Sequence, residues 1–494
     1  MSTRKVIRGG LWLYARSLAN NLTGYAYWFI VSRIAGAEAL GISSATVSLA
    51  TLVSSALSLG VPGALQRFLG LTIGKGDKER LSEYFWSAAA FFLLTRLCAG
   101  AALLLAGLAQ VRSIGLDPEM LKYAGLLVML GWTMVLDSLL ISYLKTKLSA
   151  LSYIAGSLAK LAVGITLVWL GWGWTGVVLG YVASSVVTGA GLMVSSSGLV
   201  LRRPIVTWLG VAEVLRAGLS IWLPGIITLV GQQVGVLAVF GARGGFETGT
   251  YYASFAIAGV VWAFPMLMLS LLVPVLSGME DGRKRATWRT LRLATAISAP
   301  LSAFLLAYPD LPLSLLGRDY LTASTTLRVL ALSAIPTTIV AGVSSLVFSY
   351  GLYGVTLEIG IAQSIPRLML YLTLTPAYGG LGAALAFTTG SFVGLLAVLS
   401  ACRSIGFTLD ARVLSLASLP PLCLAFVLSL LHLHWLVGVP LLFAATLIFY
   451  ARARVLSRAD AKELALAVIP AERLPALSGM LKWLDRVLFG SDSL

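Results

Sequence analysis

The chain has 494 residues, of which 58% are hydrophobic and 11% charged, with a formal net charge of +16. Soluble proteins carry about 25% charged residues, so this composition excludes a water-soluble globular protein and predicts a membrane protein. The positive charge does not indicate a nucleic-acid partner, because most of the cations lie in short segments between apolar stretches.

Apolar stretches recur along the chain. A membrane-crossing helix needs about 20 mainly apolar residues, and about fourteen such stretches are present. They lie at residues 9–34, 42–70, 82–108, 119–144, 150–171, 174–196, 211–240, 247–276, 287–308, 323–349, 354–375, 379–400, 411–431 and 435–452. Most basic residues fall in one of the two sets of loops, which is the positive-inside pattern. We therefore expect a cell-membrane protein with both termini in the cytoplasm and an uncleaved first helix.

The sequence contains an internal repeat. The recurring residues are Arg8, Gly10, Leu11, Gly41, Ser138, Leu139, Ser142, Tyr143, Gly173 and Gly176, which return as Arg216, Gly218, Leu219, Gly249, Ser345, Leu346, Ser349, Tyr350, Gly379 and Gly382. The offset drifts only from 208 to 206 residues over six predicted helices, which indicates a duplication. Because six is even, both copies enter the membrane from the same side, as in transporters with parallel repeats.

The duplication predicts an all-α integral membrane protein with two six-helix lobes, related by a parallel pseudo-two-fold repeat, and two extra helices. The N-terminal lobe would cover residues 1–207 and the C-terminal lobe residues 208–408, with helices 13 and 14 at 409–456. Residues 457–494 mix charged and apolar residues at a spacing typical of an amphipathic helix on the cytoplasmic leaflet.

Several ionisable residues fall inside predicted spans, where a charge at the helix centre costs about 2.5 to 3.5 kcal/mol. Lys160 and Arg367 stand at the same place in the two copies, 207 residues apart, and we expect both to line a central cavity. Asp137 either has a proton-coupling or internal ion-pair role, or simply satisfies one of the neighbouring lysines, Lys145 or Lys147. Glu358 is either a second proton carrier or, as we favour, an interfacial charge.

Further polar side chains extend this candidate cavity. Amides in the first and seventh spans either bond to neighbouring helices or contact sugar hydroxyls. Arg96 is a weaker candidate, since it can pair within its own half. The candidate cavity residues are Arg16, Asn20, Asn21, Lys160, Arg216, Gln232, Gln233 and Arg367.

The sequence gives no sign of catalysis. It contains no phosphate-binding glycine loop, nucleophile elbow or metalloprotease motif. His432 and His434 alone make a poor metal site, and the three cysteines have no paired spacing. We therefore expect neither an enzyme nor a protein with a cofactor.

Four stretches resemble the polysaccharide, or Wzx-type, flippases of the multidrug/oligosaccharidyl-lipid/polysaccharide (MOP) exporter superfamily. They are GAEALG at 36–41, LGVPGALQRF at 59–68 followed by GKGD at 74–77, LLGRDY at 315–320 followed by LRVL at 327–330, and YGGLGAALA at 378–386. Each stretch is moderately specific, and their order and spacing strengthen the match.

The resemblance implies a two-lobed carrier that moves a lipid-linked oligosaccharide, on polyprenyl phosphate or pyrophosphate, from the cytoplasmic to the outer leaflet. Lipid II flippases of the superfamily similarly use cavity arginines, which makes Arg16 and Arg67 the closest candidates by region. The expected partners are this substrate, membrane lipids and glycan-assembly proteins, and we expect a monomer.

The principal alternative is a cation-coupled multidrug or toxin extrusion antiporter of the same superfamily. Such carriers commonly place a carboxylate in the first helix, where this chain has Asn20 and Asn21. A membrane glycosyltransferase or polymerase is a further alternative, but it usually needs a large outer loop with acidic residues, and the loops of this chain are short.

Overall fold

The computed structural model describes residues 3–111, 117–199, 204–277, 279, 281–458 and 460. Within these ranges the chain is helical and no strand occurs. The helices are α1 (Thr3–Ala56), α2 (Val61–Lys75), α3 (Lys78–Leu108), α4 (Pro118–Leu130), α5 (Met134–Ser142), α6 (Thr146–Leu167), α7 (Gly173–Ser196), α8 (Trp208–Ser277), α9 (Arg283–Ala307), α10 (Asp310–Ser314), α11 (Ser324–Leu332), α12 (Ala334–Ser349), α13 (Tyr353–Ser404), α14 (Ala411–Leu430) and α15 (Trp435–Arg452). The predicted all-α class is confirmed.

Ten helical segments in the described ranges are long and apolar enough to cross a membrane. Four of them, with 48, 51, 39 and 52 residues, are much longer than the roughly 20 residues that one membrane crossing needs. Each of these four contains a glycine with a non-helical backbone. Dividing them there gives fourteen segments within the described ranges. The chain is a multi-pass membrane protein.

The non-helical glycines recur at the repeat offset. Gly36 in α1 has φ 78° and ψ 178°, and Gly244 in α8, 208 residues later, has φ 78° and ψ −170°. Gly173, at the start of α7, has φ 53° and ψ −135°, and Gly379 in α13, 206 residues later, has φ 55° and ψ −131°. A positive φ favours glycine because it has no Cβ. The predicted duplication therefore extends to the local backbone.

Side-chain hydrogen bonds repeat in the same way. The Ser138 hydroxyl donates to the Pro62 carbonyl at 3.1 Å. Its repeat partner, the Ser345 hydroxyl, donates to the Leu269 carbonyl at 3.3 Å. Pro62 and Leu269 are themselves 207 residues apart, so both the donor and the acceptor of this interhelical bond are duplicated.

Three spans predicted as continuous helices, at 42–70, 119–144 and 323–349, are interrupted. The prediction of one helix at 42–70 is wrong, since α1 ends at Ala56 and α2 starts at Val61. Leu59 and Gly60 between them have positive φ, and the proline at position 62 favours a helix start because its ring fixes φ and it lacks an N–H. In the span at 119–144, a 3₁₀ turn at Gly131–Thr133 separates α4 from α5, and in the span at 323–349, α11 ends at Leu332 before α12 begins at Ala334. Both segments, Pro118–Ser142 and Arg318–Ser349, are nevertheless long and apolar enough for one membrane crossing.

The described chain forms two compact units. The first comprises Met1–Ala253, Ser314–Ala323 and Arg367–Ala386, and the second Ser254–Leu313, Ser324–Pro366 and the chain from Phe387 onward. This division differs from the repeat boundary, so the lobes at 1–207 and 208–408 and the separate helices at 409–456 remain predictions. The predicted amphipathic tail, residues 457–494, lies outside the described residues beyond Asp460.

In the first unit, the two copies make a reciprocal backbone contact just after the kinks in α1 and α8. A Cβ atom on Gly41 would lie 1.8 Å from the Gly245 carbonyl oxygen, and one on Gly249 would lie 1.8 Å from the Ala37 carbonyl oxygen. Ala37 and Gly245 are repeat equivalents, as are Gly41 and Gly249. The contact is therefore self-complementary, like the interface of a two-fold symmetric dimer.

In the second unit, Asp460 connects the chain beyond α15 to α9. Its carboxylate lies 3.2 Å from Nη2 of Arg289 and 2.5 Å from Nη2 of Arg292, and it accepts a 2.7 Å bond from the Ser457 hydroxyl. Burial raises the pKa of Asp460, but the bonds from Ser457 and the two guanidinium groups outweigh burial, so its pKa lies below its usual value. The carboxylate is therefore charged at neutral pH.

Candidate functional site

A polar seam, which we define as Arg16 and Asn20 of α1, Asp137 of α5, and Ser157 and Lys160 of α6, runs through the first unit. At one end, Nη1 of Arg16 lies 2.9 Å from an Asp137 carboxylate oxygen. The remaining contacts of this pair come from α6: the Ser149 hydroxyl bonds to both groups, and the Arg16 guanidinium stacks 3.3 Å above the Tyr153 ring. The side chains of Arg16 and Asp137 are 20% and 11% exposed.

This arrangement identifies the cation that pairs with Asp137. The carboxylate pairs with Arg16, 121 residues away in the sequence, rather than with Lys145 or the neighbouring Lys147. Removing one partner of a buried ion pair would leave the other charge uncompensated, so the two side chains depend on each other. A proton-coupling role for Asp137 remains a prediction.

At the middle of the seam, α1 and α6 are joined by a side-chain bond. The Ser157 hydroxyl donates to Oδ1 of Asn20. Since Asn20 follows Arg16 by four residues, both lie on the same face of α1, and since Ser157 follows Tyr153 by four residues, both lie on the same face of α6. Asn21, one residue further, is exposed.

At the other end of the seam, Lys160 is 8% exposed. Its Nζ lies 4.8 Å from the ring centroid of Tyr181 and 5.5 Å from that of Tyr27. No carboxylate of the described residues lies within 4.0 Å of Nζ. The faces of the two tyrosine rings attract the ammonium group by about 1 to 2 kcal/mol. The rings carry no negative charge, so the positive charge of Lys160 is not compensated by a carboxylate.

These rings belong to a larger aromatic cluster. Tyr27, Trp28 and Tyr181 lie with ring centroids 5.7 to 5.8 Å apart. Trp28 also makes a T-shaped contact with Tyr252 of α8 at 4.9 Å. Flat aromatic faces next to a cation are suited to an anionic group attached to an apolar or saccharide surface.

Arg367, the repeat equivalent of Lys160, lies in α13 and is 1% exposed. Tyr371 lies one turn further along α13, and Tyr251 and Tyr371 come together at Gly235, where a Cβ atom would lie 2.9 Å from both side chains. The Tyr371 hydroxyl donates to the Gly231 carbonyl at 3.0 Å, as the Tyr27 hydroxyl donates to the Val177 carbonyl at 2.7 Å. Each copy therefore buries one cation beside two tyrosines.

Arg96, in α3, is also 1% exposed. Its Nε and Nη1 have no hydrogen-bond partner in the described residues, and a Cβ atom on Gly131 would lie 3.1 Å from Nη1. Gly131 caps the C-terminus of α4, where the partial negative charge of the helix dipole is concentrated. The guanidinium therefore lies beside the end of this helix.

The other predicted cavity residues are dispersed. Arg67 of α2, Arg216 and Gln232 of α8, and Glu358 near the start of α13 are exposed, and Gln233 is half-buried. The structure brings Arg16, Asn20, Asp137 and Lys160 together along the seam. Among the described residues, no hydrogen bond or ion pair joins the dispersed residues to it.

Ser157 of the seam was not predicted from the sequence, and neither were the hydroxyl and aromatic partners of the seam: Tyr27, Tyr153, Tyr181 and Ser149. The sequence does contain a pattern that places Tyr153, Ser157 and Lys160 on one face of a helix, because they follow each other at spacings of four and three residues. The part of the chain that the structure describes contains no group of three His, Cys, Asp or Glu residues able to hold a metal ion.

The fold matches solved structures of transporters. The lipid II flippase MurJ in its inward closed conformation is 14% identical, with a TM-score of 0.71, and the match covers 90% of this chain and 98% of that one. A multidrug resistance MATE family transporter of the MOP superfamily, in its inward-facing conformation, is 16% identical, with a TM-score of 0.61 over 78% and 94% of the two chains.

A MOP superfamily transporter from Pyrococcus furiosus, described as having a binding pocket of reversed polarity, is 17% identical, with a TM-score of 0.57 over 82% and 96% of the two chains. No protein-family model and no curated protein sequence matches this chain. The structural matches show that the chain has the MOP fold.

Proposed function

We propose that this protein moves a lipid-linked oligosaccharide, carried on a polyprenyl phosphate or pyrophosphate, from the cytoplasmic to the outer leaflet of the cell membrane by alternating access. The central observation is the pair of buried cations at equivalent positions of the two copies, Lys160 and Arg367, each flanked by tyrosines. A buried charge in a membrane helix marks a functional site by default.

The chemistry of the substrate fits these surroundings. Phosphate oxygens would bind the cations Arg16, Lys160 and Arg367, with Arg67 and Arg216 as further contacts. The exposed amides of Asn21 and Gln232, with Asn20 and Gln233, would hydrogen-bond to sugar hydroxyls, and the polyprenyl tail would stay in lipid. In this proposal, no cofactor takes part, both termini are cytoplasmic and the carrier is a monomer.

Asp137 argues against the multidrug alternative. An antiporter for cationic drugs needs an available carboxylate, whereas Asp137 is already bonded to Arg16 and Ser149. Asp137 offsets the charge of Arg16, and Lys160 has no carboxylate partner among the described residues. The net charge of the polar seam is therefore positive, which favours an anionic substrate.

The test is reconstitution into liposomes with a fluorescent lipid-linked oligosaccharide. Membrane-impermeant quencher added outside reports the fraction in the outer leaflet, and we expect the protein to raise the rate of exchange between leaflets at least tenfold. A matched control is the same lipid without phosphate or glycan. Absence of flipping, together with cation-dependent efflux of drugs, would contradict this proposal and indicate a multidrug antiporter instead.

A further inference from the structure

Arg16 uses only one of its three guanidinium nitrogens in the seam. Nη1 makes all of its hydrogen bonds, two with the Asp137 carboxylate, at 3.1 and 2.9 Å, and one with Ser149 at 2.9 Å. Nε and Nη2 bond to no residue of the described chain. The edge formed by these two nitrogens is the edge that binds carboxylate or phosphate in two parallel hydrogen bonds.

The guanidinium is also fixed in orientation. Asp137 and Ser149 hold it at Nη1, and its Cζ lies 3.3 Å from the centroid of the Tyr153 ring. A planar group held both at one nitrogen and across its face has lost most of its rotational freedom before any ligand arrives. Such preorganisation strengthens binding because less entropy is lost on association.

The surroundings of the open edge suit an anion. The side chain of Arg16 is 20% exposed, so the edge is accessible, and Asn20 lies one turn along the same face of α1 with its amide bonded to Ser157. Because Asp137 already neutralises Arg16, an anion bound there gains less than it would at an isolated arginine. That limit matters in a carrier, which must release what it binds.

We propose that Asp137 is a positioning residue that, with Ser149 and Tyr153, holds Arg16 so that its Nε–Nη2 edge binds the phosphate of the lipid carrier and releases it again. The proposal deepens the function proposed above and depends on it only for the identity of the transported lipid. Arg16 is the group that touches the phosphate, and Asp137 acts through Arg16.

The test measures binding of geranyl pyrophosphate, which has no glycan, to the full-length protein in nanodiscs, together with lipid flipping in liposomes. Asp137→Asn removes the competing charge but keeps a hydrogen-bond acceptor for Nη1. We expect it to bind the probe about tenfold more tightly and to flip the lipid more slowly, because release becomes limiting. Arg16→Gln should weaken binding about tenfold.

The double variant Arg16→Gln/Asp137→Asn separates this role from a purely structural one. If the pair only neutralises two buried charges, each single variant is defective and the double variant regains wild-type binding and flipping, which would overturn the proposal. If Arg16 binds the phosphate, the double variant stays as weak as Arg16→Gln.

Two further variants keep the test decisive should Asp137→Asn fail to fold. Tyr153→Leu changes no charge and should weaken probe binding severalfold by releasing the guanidinium plane, whereas unchanged binding would overturn the proposal. Ser138→Ala, next to Asp137 and outside the seam, is the matched control. A wild-type protein that binds the probe through Arg16 but does not flip the oligosaccharide would refute the proposed function and leave the phosphate site in place.

Discussion

The surroundings of the two buried cations, Lys160 in the first copy and Arg367 in the second, differ in which helix supplies the tyrosine. In the first copy Tyr27 of α1 lies against Gly164 of α6, and its hydroxyl would be 2.1 Å from a Cβ atom there. In the second copy these residues are exchanged: Gly235 of α8 stands at the repeat position of Tyr27, and Tyr371 of α13 at that of Gly164.

The exchange shows what the duplicated site requires. In both copies one aromatic ring fills the space between the two helices, and its hydroxyl donates to a backbone carbonyl. Because either helix can contribute the ring, the filled volume and the cation are the retained features, and the position of the tyrosine is not.

The largest expected effect comes from removing the cations themselves. We expect Lys160→Ala and Arg367→Ala each to lower the rate of lipid flipping at least tenfold, since about 1.4 kcal/mol of lost transition-state stabilisation has that effect. Lys160→Arg keeps the charge and should retain more activity. Flipping is measured in liposomes at equal protein content.

The control for this pair is Lys122→Ala, which removes a cation that pairs with Glu119 at the start of α4, away from the seam. All three alanine variants should still insert into the membrane. Normal flipping by both Lys160→Ala and Arg367→Ala would show that the buried cations do not contact the substrate.

The next largest effect tests the tyrosine–glycine exchange. Gly164→Ala should destabilise the protein by roughly 1 to 3 kcal/mol, because its Cβ would lie 2.7 Å from ring atoms of Tyr27 that cannot move easily. Gly235→Ala should cost less, since the corresponding closest atoms of Tyr251 and Tyr371 are 2.9 Å away. Thermal unfolding followed by size-exclusion chromatography gives the comparison.

A second substitution identifies the cause of the loss. Tyr27→Leu should restore much of the stability of Gly164→Ala by vacating the space, while it should do nothing for Gly235→Ala. Equal losses for the two glycine variants, unaffected by Tyr27→Leu, would mean that the exchange does not describe the packing.

A smaller effect concerns Arg96, whose repeat equivalent is the buried Ala303. Arg96→Met should raise the Tm by roughly 1 to 3 °C, because it removes a buried guanidinium whose Nε and Nη1 lack hydrogen bonds and leaves an apolar chain of similar length. Differential scanning fluorimetry measures the shift. A lower Tm would show that the C-terminus of α4 stabilises the charge by more than its desolvation costs.

The smallest expected effect comes from the ion pairs of Asp460 with α9. The equivalent helix of the first copy, α3, lacks these cations, because it has Ser82 and Phe85 at the positions of Arg289 and Arg292. Asp460→Asn should lower the free energy of unfolding by about 1 kcal/mol or less, because Arg289 is half-exposed and solvent screens the pair. The pKa of Asp460 is lowered in the folded protein, so its stabilisation is complete above the unfolded pKa of about 3.9.

That stabilisation is lost as the pH falls through the lower pKa of the folded state. The Tm difference between the wild type and Asp460→Asn should therefore be constant from pH 7 to 5 and shrink below about pH 4. A difference that grows on acidification would contradict the assignment of the carboxylate as the charged partner of Arg289 and Arg292.

The repeat could be predicted from the sequence because several of its backbone conformations require glycine. Gly173 and Gly379 need a positive φ, so the residue type persisted and the offset could be read directly. The tyrosine–glycine exchange was hidden in the same comparison, since Tyr27 aligned with Gly235 counts as a mismatch. Only the packing shows that two mismatches compensate each other.

The partner of Asp137 could not be predicted in the same way. Lys145 and Lys147 are close in sequence, while Arg16 is 121 residues away, and helix periodicity says nothing about which helices lie side by side. Lys160 and Arg367 were accessible to sequence reasoning because burial of a charge is visible in one helix alone, whereas pairing depends on the tertiary contact.

The glycine contact after the two kinks also has an evolutionary meaning. Gly41 meets Gly245, and Gly249 meets Ala37, with each copy presenting the same surface to the other. A single six-helix ancestor carrying this segment would already have been able to pair with a second copy of itself about a two-fold axis. Gene fusion then needed no new interface: it joined two subunits that fitted together, after which each half was free to acquire its own side chains.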